Sequence, residues 1–491
     1  MSSIILSILS AVLLSLSLSS FNLWQLGWCG FIPLFAALEN KSLRQSWVLA
    51  YFCGIIFWSL TVYWLIHITF IGQAVLILYL AVYFGIFGAI VYLRRYFSLG
   101  KFIFFIPCSW VLLEYLRSYL FTGFPWALTG FSQYRILPVI QVADISGAWG
   151  VSFLVVLVNF TLYLALRKQL KKKDLLICIL MLLLILGYGF YRLNYKFNFK
   201  DSSRQLKVSV IQGNIPQDLK WNKQAIGFIE NNYKELTVAA AKDNPGLIIW
   251  PEAAVPGLWG EDQAEFNKIF SLCRRVKTNL LTGTVSHLGR DYFNSALFIN
   301  QQGEPGAIYH KLHRVPFGEY IPLKNILPFL KTIVPIGDIE AGKDYMIFRQ
   351  PADFGVLICF EDLFPGLSRQ FIKRGAKFLV NITNDAWYKE GSAPYQHFAA
   401  SVFRAVENHV YLARAANTGI SGFIDPFGRL LSIVQNDAGK EIFVKGYRTQ
   451  NISLDPIGLR RTFYNRYGDL FVIFCLLFNA GVIIFIPKNK K

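Results

Sequence analysis

Three short segments of this chain carry side chains suited to covalent catalysis. Cys359 closes an apolar run and is followed at once by charge, in Phe354-Gly-Val-Leu-Ile-Cys-Phe-Glu-Asp. A buried strand that stops there sets the thiol at a strand-to-turn junction, where the side chain is exposed and the following backbone N–H groups point at the reacting centre. Taken alone, the residue reads equally well as a core cysteine. Glu252, in Trp250-Pro-Glu-Ala-Ala-Val-Pro, follows the apolar stretch Leu247–Ile249 with no adjacent cation. A carboxylate at a strand end can serve as a general base, or it can open a helix before Ala253. Lys311 lies in Tyr309-His-Lys-Leu-His-Arg-Val-Pro-Phe-Gly-Glu-Tyr, where it can favour a nearby thiolate and stabilise an oxyanion. Glu319 adds a second carboxylate to that run. His310 and His313 flank Lys311 without the spacing of metal ligands on a helix, and read as packing or hydrogen-bonding residues.

The elements that must position these residues are short and alternate in type. β-rich runs recur at Leu206–Gln212, Leu247–Trp250, Asn279–Thr284, Gly355–Cys359, Lys377–Asn381, Val410–Ala415 and Gly419–Ile424. Helical stretches fall between several of them, at Trp221–Lys242, Asp262–Val276 and Tyr395–Asn408. Strands alternating with helices predict a layered α/β domain over 200–465. Ile321–Gly342 interrupts the alternation. It is apolar, is punctuated by Pro322, Pro328 and Pro335, and suits a mobile or membrane-dipping loop.

The rest of the chain has the composition of a membrane protein. Hydrophobic residues make up 54% and charged residues 16% of the 491, against the ~25% charge usual in soluble domains. Apolar runs near the length of a bilayer crossing occur at 4–20, 23–38, 47–69, 73–93, 102–120, 142–166, 174–190 and 469–487. Lys41 and Arg44 follow the second run; Arg94, Arg95 and Lys101 the fourth; Arg167, Lys168 and Lys171–Lys173 the sixth; Lys488, Lys490 and Lys491 the last. The positive-inside rule then predicts eight spans, both termini in the cytoplasm and the α/β domain outside. The expected division is a seven-span bundle over 1–195, the extracytoplasmic domain over 200–465, and a final span with a basic tail over 466–491. Some of the positive charge behind the net +19 is thereby a topology signal, and no nucleic-acid-binding module is present to claim the rest. Glu114 and Arg117, spaced i, i+3 inside the fifth run, read as a structural ion pair. Phe121–Arg135, with Pro125 and Trp126, reads as an extracytoplasmic loop facing the active site. Seven cysteines lack paired or CxxC spacing, so neither a disulfide framework nor a structural metal is indicated.

Glu in Trp-Pro-Glu, Lys in His-Lys and Cys in Cys-Phe-Glu, in that order within one α/β domain, resemble the nitrilase superfamily. The resemblance implies an αββα sandwich and a Glu-Lys-Cys triad. Such a domain between N-terminal membrane helices and one C-terminal helix is similar to the apolipoprotein N-acyltransferase family. Gln212-Gly-Asn-Ile-Pro-Gln, Val315-Pro-Phe-Gly-Glu-Tyr, Asn384-Asp-Ala-Trp, Gln396-His and Arg414-Ala-Ala-Asn-Thr-Gly-Ile carry the likeness. It implies Cys359 as nucleophile, Glu252 as base and Lys311 as oxyanion stabiliser. Glu319 and Glu361 are then supporting carboxylates, with Trp221, Phe360, Asn384 and Trp387 as substrate-contacting or supporting residues. Phe360 stands where many members carry Tyr, a difference expected to touch substrate contacts and not the triad. The implied partners are a phospholipid acyl donor, a diacylglyceryl prolipoprotein acceptor and the bilayer. No cofactor, metal or nucleic acid is implied, and a monomer suffices. Two other classes compete: a membrane-tethered amidase or nitrilase that uses water as acceptor, and a transporter with a binding domain. The paired halves and broken spans of transporters are not evident.

Overall fold

The computed structural model describes residues 2–96, 99–194, 204–220, 222–321, 339–454 and 461–484. The chain divides into two units, one of residues 1–195, 391–399 and 462–491, the other of residues 196–390 and 400–461.

The first unit is helical. Three of its described helices, Phe70–Tyr92, Ala148–Leu166 and Lys172–Asn194, are long and apolar enough to cross a membrane. Ser3–Ser17 and Leu470–Ile484 are apolar but shorter. Helix starts follow their capping residues: the Ser2, Ser42 and Thr69 hydroxyls each accept a first-turn N–H, and Gln45 completes a capping box with Ser42.

Three expected spans are not single helices. The run 47–69 is helix Leu43–Thr61 followed by a 3₁₀ turn, Tyr63–His67. The run 23–38 is a 3₁₀ turn, Trp24–Trp28, followed by the short helix Ile32–Ala37. Asn159, buried in a neighbouring helix, takes up the backbone groups this break frees: its side chain accepts from the Phe31 N–H at 2.8 Å and donates to the Gly27 carbonyl at 2.8 Å. The run 142–166 is interrupted at Gly147, where φ is +65°. The expected Glu114–Arg117 ion pair does not form among the described residues. Each side chain instead binds the backbone of the loop that follows. Glu114 Oε1 accepts the Thr129 N–H at 2.7 Å, and Arg117 donates to the carbonyls of Phe124 and Trp126 at 2.6 and 2.8 Å. An apolar setting offers that loop no water, so the buried charges satisfy its backbone.

The second unit is built on two sheets. In chain order the described strands are β1 (Gln205–Gln212), β2 (Leu247–Ile249), β3 (Leu258–Trp259), β4 (Asn279–Leu288), β5 (Asp291–Ile299), β6 (Pro305–His310), β7 (Ile339–Glu340), β8 (Ile347–Phe348), β9 (Phe354–Ile358), β10 (Phe378–Thr383), β11 (Leu412–Ala416), β12 (Gly422–Ile424), β13 (Leu430–Ile433) and β14 (Gly446–Ser453). One sheet runs β14-β1-β2-β4-β5-β6, with β3 beside β4 and β7 beside β5; the other runs β13-β12-β11-β10-β9-β8. β1 packs on β11 and β5 on β9, so the sheets face each other.

Helices Ile226–Ala241 and Gln263–Val276 cover the outer face of the first sheet. Ile229, Tyr233, Phe266 and Phe270 meet Ile211, Ile248, Leu280 and Leu297 in one buried cluster. Helix Pro365–Lys373 lies on β9 and β10. The result is the layered helix–sheet–sheet–helix arrangement that the sequence resemblance implies. β9 and β10 are buried along their whole length, which is why both read as continuous apolar runs. The short runs expected as strands all form, within a few residues. β3, β5, β6, β7, β8, β13 and β14 correspond to none of those runs, and β7 lies in the segment expected as a loop. Residues 322–338 of the apolar Ile321–Gly342 segment lie outside the described residues.

Candidate active site

Three strand ends and one strand exit converge. β2 leads through Trp250 and Pro251 to Glu252, β9 leads to Cys359, β10 leads to Asn384, and Lys311 directly follows β6. β1, β2 and β4 are mutually parallel where β2 pairs, as are β9, β10 and β11, so the residues after β2, and those after β9 and β10, leave their sheets together. In open α/β sheets such carboxyl ends are where ligands are bound.

Cys359 follows Ile358 directly and starts a 3₁₀ turn, Cys359–Leu363. Its φ is +53°, the left-handed region that costs a non-glycine residue of order 1 kcal/mol or more and that clusters at functional sites. The carbonyl of Cys359 accepts from the Asn381 side chain at 3.3 Å. Contrary to the expectation of an exposed thiol, Cys359 is only 7% accessible. Burial pushes the thiol well above its usual pKa. The Glu252 and Asp385 charges push the same way, while Lys311 and the Thr383 hydroxyl pull it down. The resting group is therefore a neutral thiol that needs a base.

Glu252 is buried, and both carboxylate oxygens are engaged: Oε1 accepts from Asn294 Nδ2 at 2.7 Å and Oε2 from the Asn384 N–H at 2.9 Å. Gly283 makes room for the turn that carries it. A Cβ there would stand 2.5 Å from the Pro251 carbonyl oxygen and 2.6 Å from the Ala253 nitrogen.

Lys311 Nζ donates to Glu319 Oε1 at 2.9 Å and lies 3.8 Å from Glu252 Oε1. Burial opposes its charge, but Glu319, Glu252 and Cys359 outweigh burial and hold its pKa above that of an ordinary lysine. It is thus a permanent cation beside the thiol. Glu319 also accepts from Asn294 Nδ2 at 2.8 Å and from the Val315 N–H at 2.8 Å.

Glu361 ties the cysteine turn to the lysine segment. It accepts from the Tyr309 hydroxyl, the Leu312 and His313 N–H groups and the Ile358 N–H, all within 3.0 Å. Burial raises its pKa to about 7, against the pull of those donors and of Lys311.

The other expected residues divide. Asn384 bonds Gln217 and Asn417 through its side chain, at 2.7 and 3.0 Å. Phe360 is buried, its ring 6.0 Å from that of His313 and 5.3 Å from that of Phe364. Trp387 is 50% exposed on the 3₁₀ turn Asp385–Tyr388. Trp221 lies outside the described residues. His310 sits against Ser295 Oγ at 2.8 Å and the Phe293 ring, in the packing role expected.

Sequence reasoning missed Asn294, which bridges the two carboxylates. Its only sequence signal is a polar residue in an otherwise apolar run. It also missed the buried support behind the cysteine turn. Arg414 donates to Asp362, Asn381 and Ser401 at 2.8, 2.6 and 2.9 Å, and Asn381 in turn holds the Cys359 carbonyl.

Comparison with known proteins gives the chain relatives over most of its length. Residues 10–161 match the family model described as the apolipoprotein N-acyltransferase N-terminal domain, and residues 207–446 match that of carbon-nitrogen hydrolase. Over 516 aligned residues the chain is 36% identical to the apolipoprotein N-acyltransferase of Geobacter metallireducens, covering 99% of this chain and 95% of that one. It is 32% identical to that of Rickettsia prowazekii, covering 75% and 73%. Among solved structures it is similar to a mutant of an amidase of Nesterenkonia from the nitrilase superfamily, with a TM-score of 0.42 and 15% identity over 55% of this chain and 97% of that one. With the Geobacter relative matched from end to end, the chain belongs to the apolipoprotein N-acyltransferase family.

Proposed function

We propose that this enzyme transfers a fatty acyl group from a membrane phospholipid to the N-terminal amine of the diacylglyceryl-cysteine of bacterial lipoproteins, through a thioester on Cys359. The observation that carries the reading is the meeting of a buried thiol, a carboxylate and a lysine whose charges both act on that thiol.

Glu252 takes the thiol proton as sulfur attacks the ester carbonyl. Lys311, with an N–H beyond those given to Glu319, stabilises the oxyanion of the tetrahedral intermediate. The intermediate collapses with cleavage of the ester C–O bond. The lysophospholipid oxygen leaves with the proton from Glu252, and the acyl group stays on sulfur. The lipoprotein amine then attacks the thioester. Glu252 removes a proton from the attacking nitrogen, the C–S bond breaks, the thiol is restored and an amide is released. Amines attack thioesters readily and the amide is the more stable product, so the second step runs forward, and ping-pong kinetics are expected.

The same reading gives the N-terminal helices and the C-terminal helix eight passes in all, with the short elements Ser3–Ser17 and 24–37 forming the first two. Both termini and the basic loops are cytoplasmic, the catalytic domain is periplasmic, and one chain supplies the whole triad as a monomer.

Intact-mass analysis of the detergent-purified enzyme with phospholipid and no acceptor tests the chemistry. The wild type is expected to gain one acyl chain, labile to hydroxylamine, and Cys359→Ala to gain none. A diacylated lipopeptide then discharges it onto its amine. Equal acylation of the variant, or discharge to water alone, overturns the reading.

A further inference from the structure

Lys220 sits in the turn that follows Pro216, with a side chain only 6% accessible. Its Nζ donates to the main-chain carbonyl of Glu252 at 2.9 Å. This is its one hydrogen bond among the described residues, so two of its three N–H groups are unspent there. Burial lowers its pKa to about 8, and among the described residues the ammonium is favoured by the charge of Glu252 and by that of Cys359 once the thiol ionises. A lysine that merely pinned a carbonyl would bear the desolvation of a full charge for a contact any neutral donor could make. This one is opposed by burial and, among the described residues, supported by the general base and the nucleophile.

The charge balance gives the reason. Glu252 and Glu319 carry two negative charges against one on Lys311. Asp385, which also faces the thiol, is paired with Arg414 at 3.4 Å, so with Lys220 the two glutamates are balanced by two lysines; without it the thiol would ionise inside a net negative site. Cys359 is also faced by Asp385 and the Thr383 hydroxyl, and its charge reaches Tyr388, none of which adds a cation.

We propose that Lys220 is a positioning residue of the acyl-transfer site, holding the Glu252 turn by its carbonyl and supplying the second positive charge that lets Cys359 ionise. The inference rests on Cys359 being the nucleophile.

The test is the rate of iodoacetamide alkylation of Cys359 across neutral and alkaline pH, read by peptide mass spectrometry on the full-length enzyme in detergent. Acyl-enzyme formation from phospholipid is measured alongside. Lys220→Met and Lys220→Gln both remove the charge, so that if one fails to fold the other still reports. The expected result is a midpoint about one unit higher, or roughly tenfold slower alkylation at neutral pH, with acylation slowed in step. Lys220→Arg, which keeps the charge, is expected to return the midpoint toward that of the wild type. Folded neutral variants with the wild-type profile overturn the inference, as does an arginine variant shifted as far as the neutral ones. A wild type whose Cys359 never acylates is a separate result, because it removes the nucleophile assignment itself and the inference with it.

Discussion

Asn294 shows how a single neutral side chain organises the site. One amide nitrogen donates to Glu252 and to Glu319, at 2.7 and 2.8 Å, and so holds two carboxylates at a separation they would otherwise increase. Asn294→Leu leaves them to repel, and misplacement of a base by about 1 Å costs on the order of 100-fold in rate. The expected outcome is a fall of that size in the rate of acyl-enzyme formation, with little change in phospholipid KM; Asn294→Asp, which adds a third negative charge, falls further. Single-turnover acylation at saturating phospholipid checks both. Glu361 makes a prediction about stability. Its folded pKa of about 7 lies above the 4.5 of an ordinary glutamate, so the folded protein holds a proton that the unfolded chain has released. Stability therefore falls as pH rises from about 4.5 to about 7 and is level above. Glu361→Gln is expected to remove that component of the slope, seen as a smaller change in melting temperature between the two pH values than in the wild type.

At the scale of elements, the strained cysteine turn is held from behind and the base turn from the side. Arg414 is fully buried and paired with Asp362 at 2.8 Å. Removing one partner of such a pair costs ~3–5 kcal/mol because the other charge is left uncompensated. Arg414→Leu is therefore expected to lower thermal stability by that amount and to slow acylation, since Asn381 loses the partner that aims it at the Cys359 carbonyl. Gly283→Ala tests the base turn. Its Cβ would meet main-chain atoms of Pro251 and Ala253 at 2.5 and 2.6 Å, and neither can step aside. A loss of ~1–3 kcal/mol with slower acylation is expected; a variant with wild-type melting and rate would show that the close approach is not needed. Legibility followed burial at this scale. β9 and β10, apolar throughout, were readable from sequence. β14, Gly446–Ser453, is polar along most of its length and exists because its backbone pairs with β1, which no local pattern reveals.

For the whole molecule, lysine and arginine carry the topology prediction. The basic clusters after the second, fourth, sixth and last apolar runs are expected to lie in the cytoplasm. Reporter fusions at residue 170 should therefore read as cytoplasmic and fusions within 204–454 as periplasmic. A cytoplasmic reading for the latter would invert the proposed orientation and separate the enzyme from lipoproteins on the outer leaflet.

Local chemistry and periodicity in the sequence determined the kind of protein this is. Apolar runs pointed to membrane helices, three of which are long enough among the described residues; alternating runs pointed to a layered domain, and the types and order of Glu252, Lys311 and Cys359 pointed to the family, because hydrophobic length and side-chain type are properties of short segments. Tertiary structure decided the rest. It broke the run at 23–38, where Asn159 satisfies the freed backbone, and turned Glu114 and Arg117 from each other toward a loop. It also brought Asn294, Asn384 and Lys220 to Glu252. Those contacts join groups distant in the chain, and only strand pairing and sheet packing decide which buried polar atoms share a partner.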